Sequence, residues 1–191
     1  MGQAALVTCT TGHNNCAIGT RALDAYTGNE NTAVGTDALG ACTTGDSNTV
    51  YGWGSGRNIT TGQNNISMGR ESSKLLESGS NNTFLGTAAG DIVVGGRNNV
   101  FIGQGADADS SASSGRIAIG KGVTNSADNT AVIGSSTLTK AYFGSETYAA
   151  TLYAAGINLE NDETITNSTD GTVVVSGNLT VSSDMRLKDN I

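Results

Sequence analysis

Glycine recurs along this chain at a nearly constant interval. The steps between successive copies are 17, 16, 17, 17, 17, 17, 17 and 14 residues. A fixed interval of this size means that one small structural unit is stacked many times, in place of a single globular core. These residues, called bend glycines below, are Gly2, Gly19, Gly35, Gly52, Gly69, Gly86, Gly103, Gly120 and Gly134.

The residues around each bend glycine repeat as well. A polar turn and three mostly apolar or β-branched residues precede it, as in Asn64-Asn65-Ile66-Ser67-Met68, and a small residue such as Ala22 or Ser55 follows three positions later. Seventeen residues are too few for two helices, but they suffice for two short strands and two turns. Each unit is therefore predicted to form one coil of a β-solenoid, and eight coils at about 4.8 Å each predict a rod of roughly 40 Å.

The asparagines and the missing proline agree with this prediction. Asparagine tolerates left-handed turn geometry, and asparagines stacked in register can form hydrogen-bonded ladders. Proline, which cannot donate a backbone hydrogen bond to the next coil, is absent. Calcium-binding nonapeptide rolls fit less well, because Gly95-Gly96-Arg97-Asn98-Asn99 lacks their aspartates.

The apolar content is low for a chain that must fold alone. Only 37% of residues are hydrophobic and 5% are aromatic. Each coil is expected to offer about two inward side chains, which is a thin core for a monomer, so we expect an obligate homo-oligomer. The expected inward pairs include Cys16 and Ile18, Ile66 and Met68, and Ile117 and Ile119.

Charge and cysteine usage exclude some partners. The net charge is −7 and the ten Lys and Arg residues do not cluster, so no nucleic-acid partner is expected. No apolar run of about 18 residues exists, so membrane insertion is not expected. Cys9, Cys16 and Cys42 lack the spacing of a metal site and are expected to be free thiols.

The repeat resembles two known families. The unit Asn-Asn-x-Ala-Ile-Gly-x-x-Ala resembles the head repeat of YadA-like trimeric autotransporter adhesins. With Thr10-Thr11-Gly12, Thr43-Thr44-Gly45 and Thr60-Thr61-Gly62, it looks still more like the repeats of phage tail-fibre proteins. This resemblance covers about residues 1–137 and implies an all-β homotrimer of parallel β-rolls, built from coils of about 17 residues.

The regular interval fails after Gly134. Residues 138–160 hold the densest aromatic stretch and are predicted to be a transition segment that caps the solenoid. Residues 161–182 are predicted to form a short β-rich trimeric stem.

The last nine residues resemble a further family. Residues 183–191, Ser-Asp-Met-Arg-Leu-Lys-Asp-Asn-Ile, are similar to the opening of the endosialidase-type C-terminal intramolecular chaperone of phage tail spikes and fibres. That resemblance implies self-cleavage after Ser182, with Ser183 as nucleophile and Lys188 as its general base. The rest of that domain is not in this sequence, so we expect a truncated chaperone, no cleavage by this chain and no other enzymatic activity.

A few other residues are candidates for binding. Tyr51 is expected to pack inward, whereas Trp53 occupies a solvent-facing position and could stack on a host sugar, although covering a neighbouring chain or loop is the simpler interpretation. Asp107 and Asp109 could hold a calcium ion, but their turn is more simply a solvated insertion. We therefore expect no metal and no cofactor.

The sequence as a whole predicts the distal shaft of a phage tail fibre, outside the cell on the virion. Its expected partners are two further copies of itself, other tail proteins and a host receptor, either a glycan or an outer-membrane protein. Two alternatives stay open: the head of a bacterial trimeric autotransporter adhesin, and a capsule-degrading tail spike, which would need acidic residues gathered in a groove.

Overall fold

The structure is a computed structural model. It describes Ala5, residues 11–24, 28–41 and 43–135, and the strand residues 144–145 and 148–149. The chain divides into two compact units, Met1–Ala141 and Tyr142–Ile191. The predicted stem, residues 161–182, and residues 183–191 lie outside the described residues.

Short strands dominate the described part of the chain. In chain order they are β1 (Cys16–Ile18), β2 (Thr32–Val34), β3 (Thr49–Tyr51), β4 (Ile66–Met68), β5 (Thr83–Leu85), β6 (Val100–Ile102), β7 (Asp107–Ala108), β8 (Ile117–Ile119), β9 (Thr124–Asn125), β10 (Ala131–Ile133), β11 (Gly144–Ser145) and β12 (Tyr148–Ala149). Strands β1 to β6, β8 and β10 form one eight-stranded sheet in that order. Strands β7 and β9 pair separately, as do β11 and β12.

The eight-stranded sheet is parallel and fully in register. Each strand pairs with its counterpart one coil later, so that Thr49 lies opposite Ile66 and Ile66 opposite Thr83. The result is a β-solenoid of about 7 turns with coils of about 17 residues. The predicted all-β solenoid is therefore confirmed.

Most described coils carry one strand, although their length suffices for two. Only the coils that contain β7 and β9 carry a second short strand in the described residues. In the other coils the segment after the bend glycine is a turn with left-handed residues, for example Glu71 and Ser73 at φ 55° and 48°. Left-handed residues interrupt an extended strand, yet hydrogen bonds between coils continue, as from Ser73 N to Ala89 O at 2.8 Å.

The two asparagines of each Asn-Asn pair play different parts. The first is left-handed, as Asn64, Asn81 and Asn98 are at φ 56–60°. The second is buried and forms a ladder: Asn65 Oδ1 accepts hydrogen bonds from Asn82 N at 3.1 Å and Asn82 Nδ2 at 3.0 Å. Both predictions for asparagine, turn geometry and stacking, are confirmed.

The ladder runs through most of the solenoid. It connects Asn15, Asn31, Asn48, Asn65, Asn82 and Asn99 by side-chain acceptance from the next backbone N–H. Arg116 takes the next position, where its backbone N–H still donates to Asn99 Oδ1 at 3.0 Å. The asparagine ladder ends there, because arginine has no side-chain acceptor to offer the following coil.

The interior of each coil is narrow, and the side chains that fill it are complementary in size, so that a large one lies beside a small one. It holds the middle residue of the strand together with residues three and four positions after the bend glycine. Small Ala33 is matched by Leu39, whereas large Phe84 is matched by Gly90. An added Cβ on Gly90 would lie 2.5 Å from the Phe84 ring, so this coil accepts its phenylalanine only because residue 90 is glycine.

The bend glycines form a second stack. Seven of them have φ between +131° and +139°, a conformation that side chains rarely permit, and Gly134 is at +89°. A Cβ on Gly69 would collide with the backbone carbonyl of Gly86 in the next coil. Six of the bend glycines, from Gly19 to Gly103, thus combine positive φ with close passage of the neighbouring coil.

Candidate functional surface

The outer sheet face is the side of the main sheet that points away from the coil interior. It is formed by the first and third residues of the strands β1 to β6, β8 and β10, since side chains alternate along a strand. The middle residues, such as Ala17 and Phe84, are buried. The outer sheet face nevertheless carries the larger apolar side chains in many coils, with Ile18 outside and Ala17 inside.

The register aligns these side chains into a continuous column. The third residues stack in the order Ile18, Val34, Tyr51, Met68, Leu85, Ile102, Ile119 and Ile133. Neighbouring members lie about 4.8 Å apart, within side-chain contact. Five of them, Ile18, Tyr51, Met68, Leu85 and Ile133, are 38–62% exposed.

No charge interrupts this surface. None of the residues in these eight strands is charged, although the chain carries a net charge of −7. The first residues form a parallel column that mixes threonine with apolar residues, including Ile66, Val100 and Ile117. A continuous apolar surface of this kind marks an interaction site on a soluble protein.

The predicted inward positions are wrong for the single chain. Cys16, Ile18, Ile66, Met68 and Tyr51 are exposed on the outer sheet face, not packed inside the coil, and Ile117 and Ile119 lie on the same face. The coil interior has room only for the middle residue of each strand. Cys16 is a free thiol, as predicted.

Trp53 follows the bend glycine Gly52 and is 46% exposed. Its backbone carbonyl accepts a hydrogen bond from Glu71 N at 2.9 Å, which fixes the bend to the next coil. The ring is thus presented at the surface from a fixed backbone. Its role in binding a ligand stays a prediction.

Three charged groups converge near the end of the asparagine ladder. The Arg116 guanidinium, 7% exposed, contacts Asp128 at 2.5 Å and Asp109 at 2.7 Å. The hydrogen bond from Ser114 N and the contact with Arg116 lower the pKa of Asp128. Asp109 is thus an ion-pair partner of Arg116. Sequence analysis missed Arg116, because it occupies the position at which the repeat has asparagine.

Asp107 is not in a solvated insertion, so that prediction is wrong. It lies in β7, 5% exposed, and accepts hydrogen bonds from Ala108 N at 2.8 Å and Ile92 N at 3.1 Å. Burial, reinforced by a hydrogen bond with Asp91, raises the pKa of Asp107 to about 7. Asp91 in turn contacts Lys74 at 3.2 Å.

The remaining predicted sites are not brought together with these features. Ser183 and Lys188 lie outside the described residues, so the self-cleavage assignment stays a prediction. Across the segments described, no three potential metal-ligating side chains form a cluster. In the same segments, no helix has the length and apolarity needed to cross a membrane.

The geometry defines a class: a parallel β-solenoid with an internal asparagine ladder and one uncharged apolar sheet face. No protein-family model, curated protein or solved structure matches the chain. The functional argument therefore depends on the residues themselves.

Proposed function

We propose that this chain is a structural section of a phage tail fibre, a rigid homotrimeric rod that supports host-cell attachment. The observation that carries the proposal is the outer sheet face, an uncharged apolar column in an otherwise acidic chain. Such a surface is unfavourable in water, at roughly 25 cal/mol per Å² of apolar area. Association with identical copies would bury it.

The arrangement of the apolar column favours a closed assembly about the long direction of the stack. One face of every coil is apolar, and the faces are aligned by the register. Copies that share this face can surround a common axis, which gives a closed cyclic oligomer. The number three comes from the resemblance of the repeats to trimeric tail fibres and adhesin heads.

In this proposal the rod acts mechanically and carries no catalytic activity. Continuous hydrogen bonds between coils would make it stiff, and it would connect other tail proteins to a part that contacts the host receptor. The ending of the chain, Ser183 to Ile191, favours a phage fibre over the autotransporter adhesin.

The oligomeric state is tested by light scattering on the purified chain. We expect three times the chain mass of 19.2 kDa. Leu85→Lys places a charge in the apolar column and is expected to give monomers. Gln104→Lys is the matched control, since residue 104 follows a bend glycine, where Lys121 occurs naturally. A monomeric parent, or equal masses for all three proteins, would contradict the proposal.

The location is tested by immunogold labelling. Antibodies raised against the purified chain should label tail fibres of phage particles released from cells that carry this gene. Label on the bacterial surface, with bare particles, would support the adhesin alternative.

A further inference from the structure

A column of mostly charged residues runs along part of the solenoid, five residues after the bend glycines from Gly19 to Gly86. Its successive members are Asp24, Gly40, Arg57, Lys74 and Asp91. Neighbours in this column can reach one another, since Lys74 Nζ lies 3.2 Å from Asp91 Oδ2. Gly40 interrupts the column, so Asp24 and Arg57 are separated by two coils, about 10 Å, and the intervening position of the column has no side chain.

The interruption at Gly40 leaves a cavity of about 330 Å³. Its size is within the range of small-molecule sites. The cavity is lined by Arg21, Asp24, Asp37, Gly40, Ala41, Arg57 and Asn58. None of these residues belongs to the outer sheet face, and alanine is the only apolar type among them.

Most charges of the cavity are already engaged. The Arg21 guanidinium donates to both oxygens of Asp37, at 2.6 and 2.7 Å. This contact, with a smaller contribution from the charge of Asp24, raises the pKa of Arg21. In the described segments, by contrast, no hydrogen bond or ion pair reaches the guanidinium of Arg57.

An unpaired guanidinium at the edge of a polar cavity favours an anionic group, which it can bind through two parallel hydrogen bonds. Asp24 on the opposite side already has an interaction partner, but a carboxylate has two acceptor oxygens and can accept from hydroxyl groups as well. The described lining residues offer no large apolar surface for the aromatic or aliphatic anchors that dominate peptide recognition.

We propose that this cavity binds a carboxylated monosaccharide unit of a glycan, with its carboxylate on Arg57 and its hydroxyl groups toward Asp24 and Asn58. The biological meaning of such a site rests on the proposed role in host attachment. Sequence analysis missed the site, because its signal is the absence of a side chain at one position of a column.

Binding is measured by isothermal titration calorimetry and saturation-transfer NMR with sodium glucuronate as the probe. We expect a millimolar dissociation constant for this single sugar unit. Glucose, which lacks the carboxylate, should bind at least about tenfold more weakly. Arg57→Gln should weaken glucuronate binding by at least about tenfold, whereas Arg97→Gln, the same change at an exposed arginine outside the cavity, should leave it unchanged.

A second variant tests the cavity without removing any group. Gly40 is not in the positive-φ region, and an added Cβ would meet nothing closer than 3.4 Å. Gly40→Asp therefore fits, fills the gap and gives Arg57 a partner like that of Lys74. We expect loss of glucuronate binding with unchanged oligomer mass and equal or higher thermal stability.

Three outcomes would overturn the site: no glucuronate binding at tens of millimolar, unchanged binding in Arg57→Gln, or equal affinity for glucose. Equal affinity for glutamate would overturn the sugar class in favour of an acidic peptide. If the chain is a trimer but does not bind glucuronate, only the proposed glycan site is contradicted. If it is a monomer that binds glucuronate, only the proposed trimeric rod is contradicted.

Discussion

At the scale of single residues, the second asparagine of each pair carries the hydrogen bonds between coils. Asn82 Oδ1 accepts from both Asn99 N and Asn99 Nδ2 at 3.0 Å, and Asn82 Nδ2 donates to Asn65 Oδ1 and Gly96 O. The side chain is 1% exposed, so water cannot replace these partners. One residue therefore satisfies polar groups on both neighbouring coils.

Asn82→Ala should lower the free energy of unfolding by at least about 3 kcal/mol, because each buried polar group left without a partner costs about 1–3 kcal/mol. Asn81→Ala is the control: Asn81 is exposed and left-handed at φ 60°, so only about 1 kcal/mol is expected. Urea unfolding of both variants measures the difference. Equal losses would contradict the structural role of the ladder.

Asp107 is expected to make stability depend on pH. Burial raises its pKa to about 7 in the folded chain, against the ordinary value of 3.8 for a carboxyl exposed to water in an unfolded chain. The folded state thus binds the proton more tightly than the unfolded chain does. The stabilisation of the fold by protonated Asp107 is therefore complete below about pH 4 and is lost as the pH rises through about 7. The deprotonated carboxylate would face Asp91, whose own partner is Lys74.

Thermal melts between about pH 4 and pH 7 should show that the melting temperature of the parent chain falls as the pH rises. Asp107→Asn should flatten that dependence, since the amide cannot ionise and can still donate to Asp91. The same decline in both proteins would assign the effect to other groups.

The sequence predicted the asparagines well and the strand faces poorly. Asparagine has few uses in a stacked turn, so its periodic recurrence pointed directly to left-handed turns and ladders. A three-residue strand offers no such guide, because its alternation leaves one residue on one face and two on the other. The usual hydrophobic signal is also reversed here, since Ala17 is inside and Ile18 outside.

At the scale of the coil, the bend glycines set how closely neighbouring coils approach. Gly69→Val should strongly destabilise the solenoid, since a β-branched residue resists positive φ and its Cβ would meet the carbonyl of Gly86. Arg70→Ala, one residue later at an exposed position, should leave the melting temperature nearly unchanged. Circular dichroism melts compare them, and equal temperatures would argue against the close approach.

The second side of the coil was predicted only in part. Its small residues three positions after each bend glycine, such as Ala22 and Ser55, are buried as their recurrence suggested. Its turns were not predictable, because left-handed conformations at Arg21, Glu71 and Ala88 occur in residues that carry no turn signal. Hydrogen bonds between coils override those local preferences.

At the scale of the whole solenoid unit, each coil contacts only its neighbours, so stability is expected to vary along the stack. Strands β3 to β6 have a partner on both sides, whereas β1 and β10 are at the ends of the sheet. Hydrogen exchange followed by mass spectrometry should find slower exchange in β3 to β6 than in the two end strands. Uniform rates along the sheet would instead indicate all-or-none opening.

The in-register sheet has an evolutionary consequence. The first coil step is 16 residues, from Cys16 to Thr32, and the last is 14, from Ile117 to Ala131, yet both strands stay aligned with their neighbours. Length differences are absorbed in the turns. Recombination between repeated gene segments can thus add or delete whole layers, and small insertions can diversify the loops, so a lineage could adjust reach and surface chemistry separately.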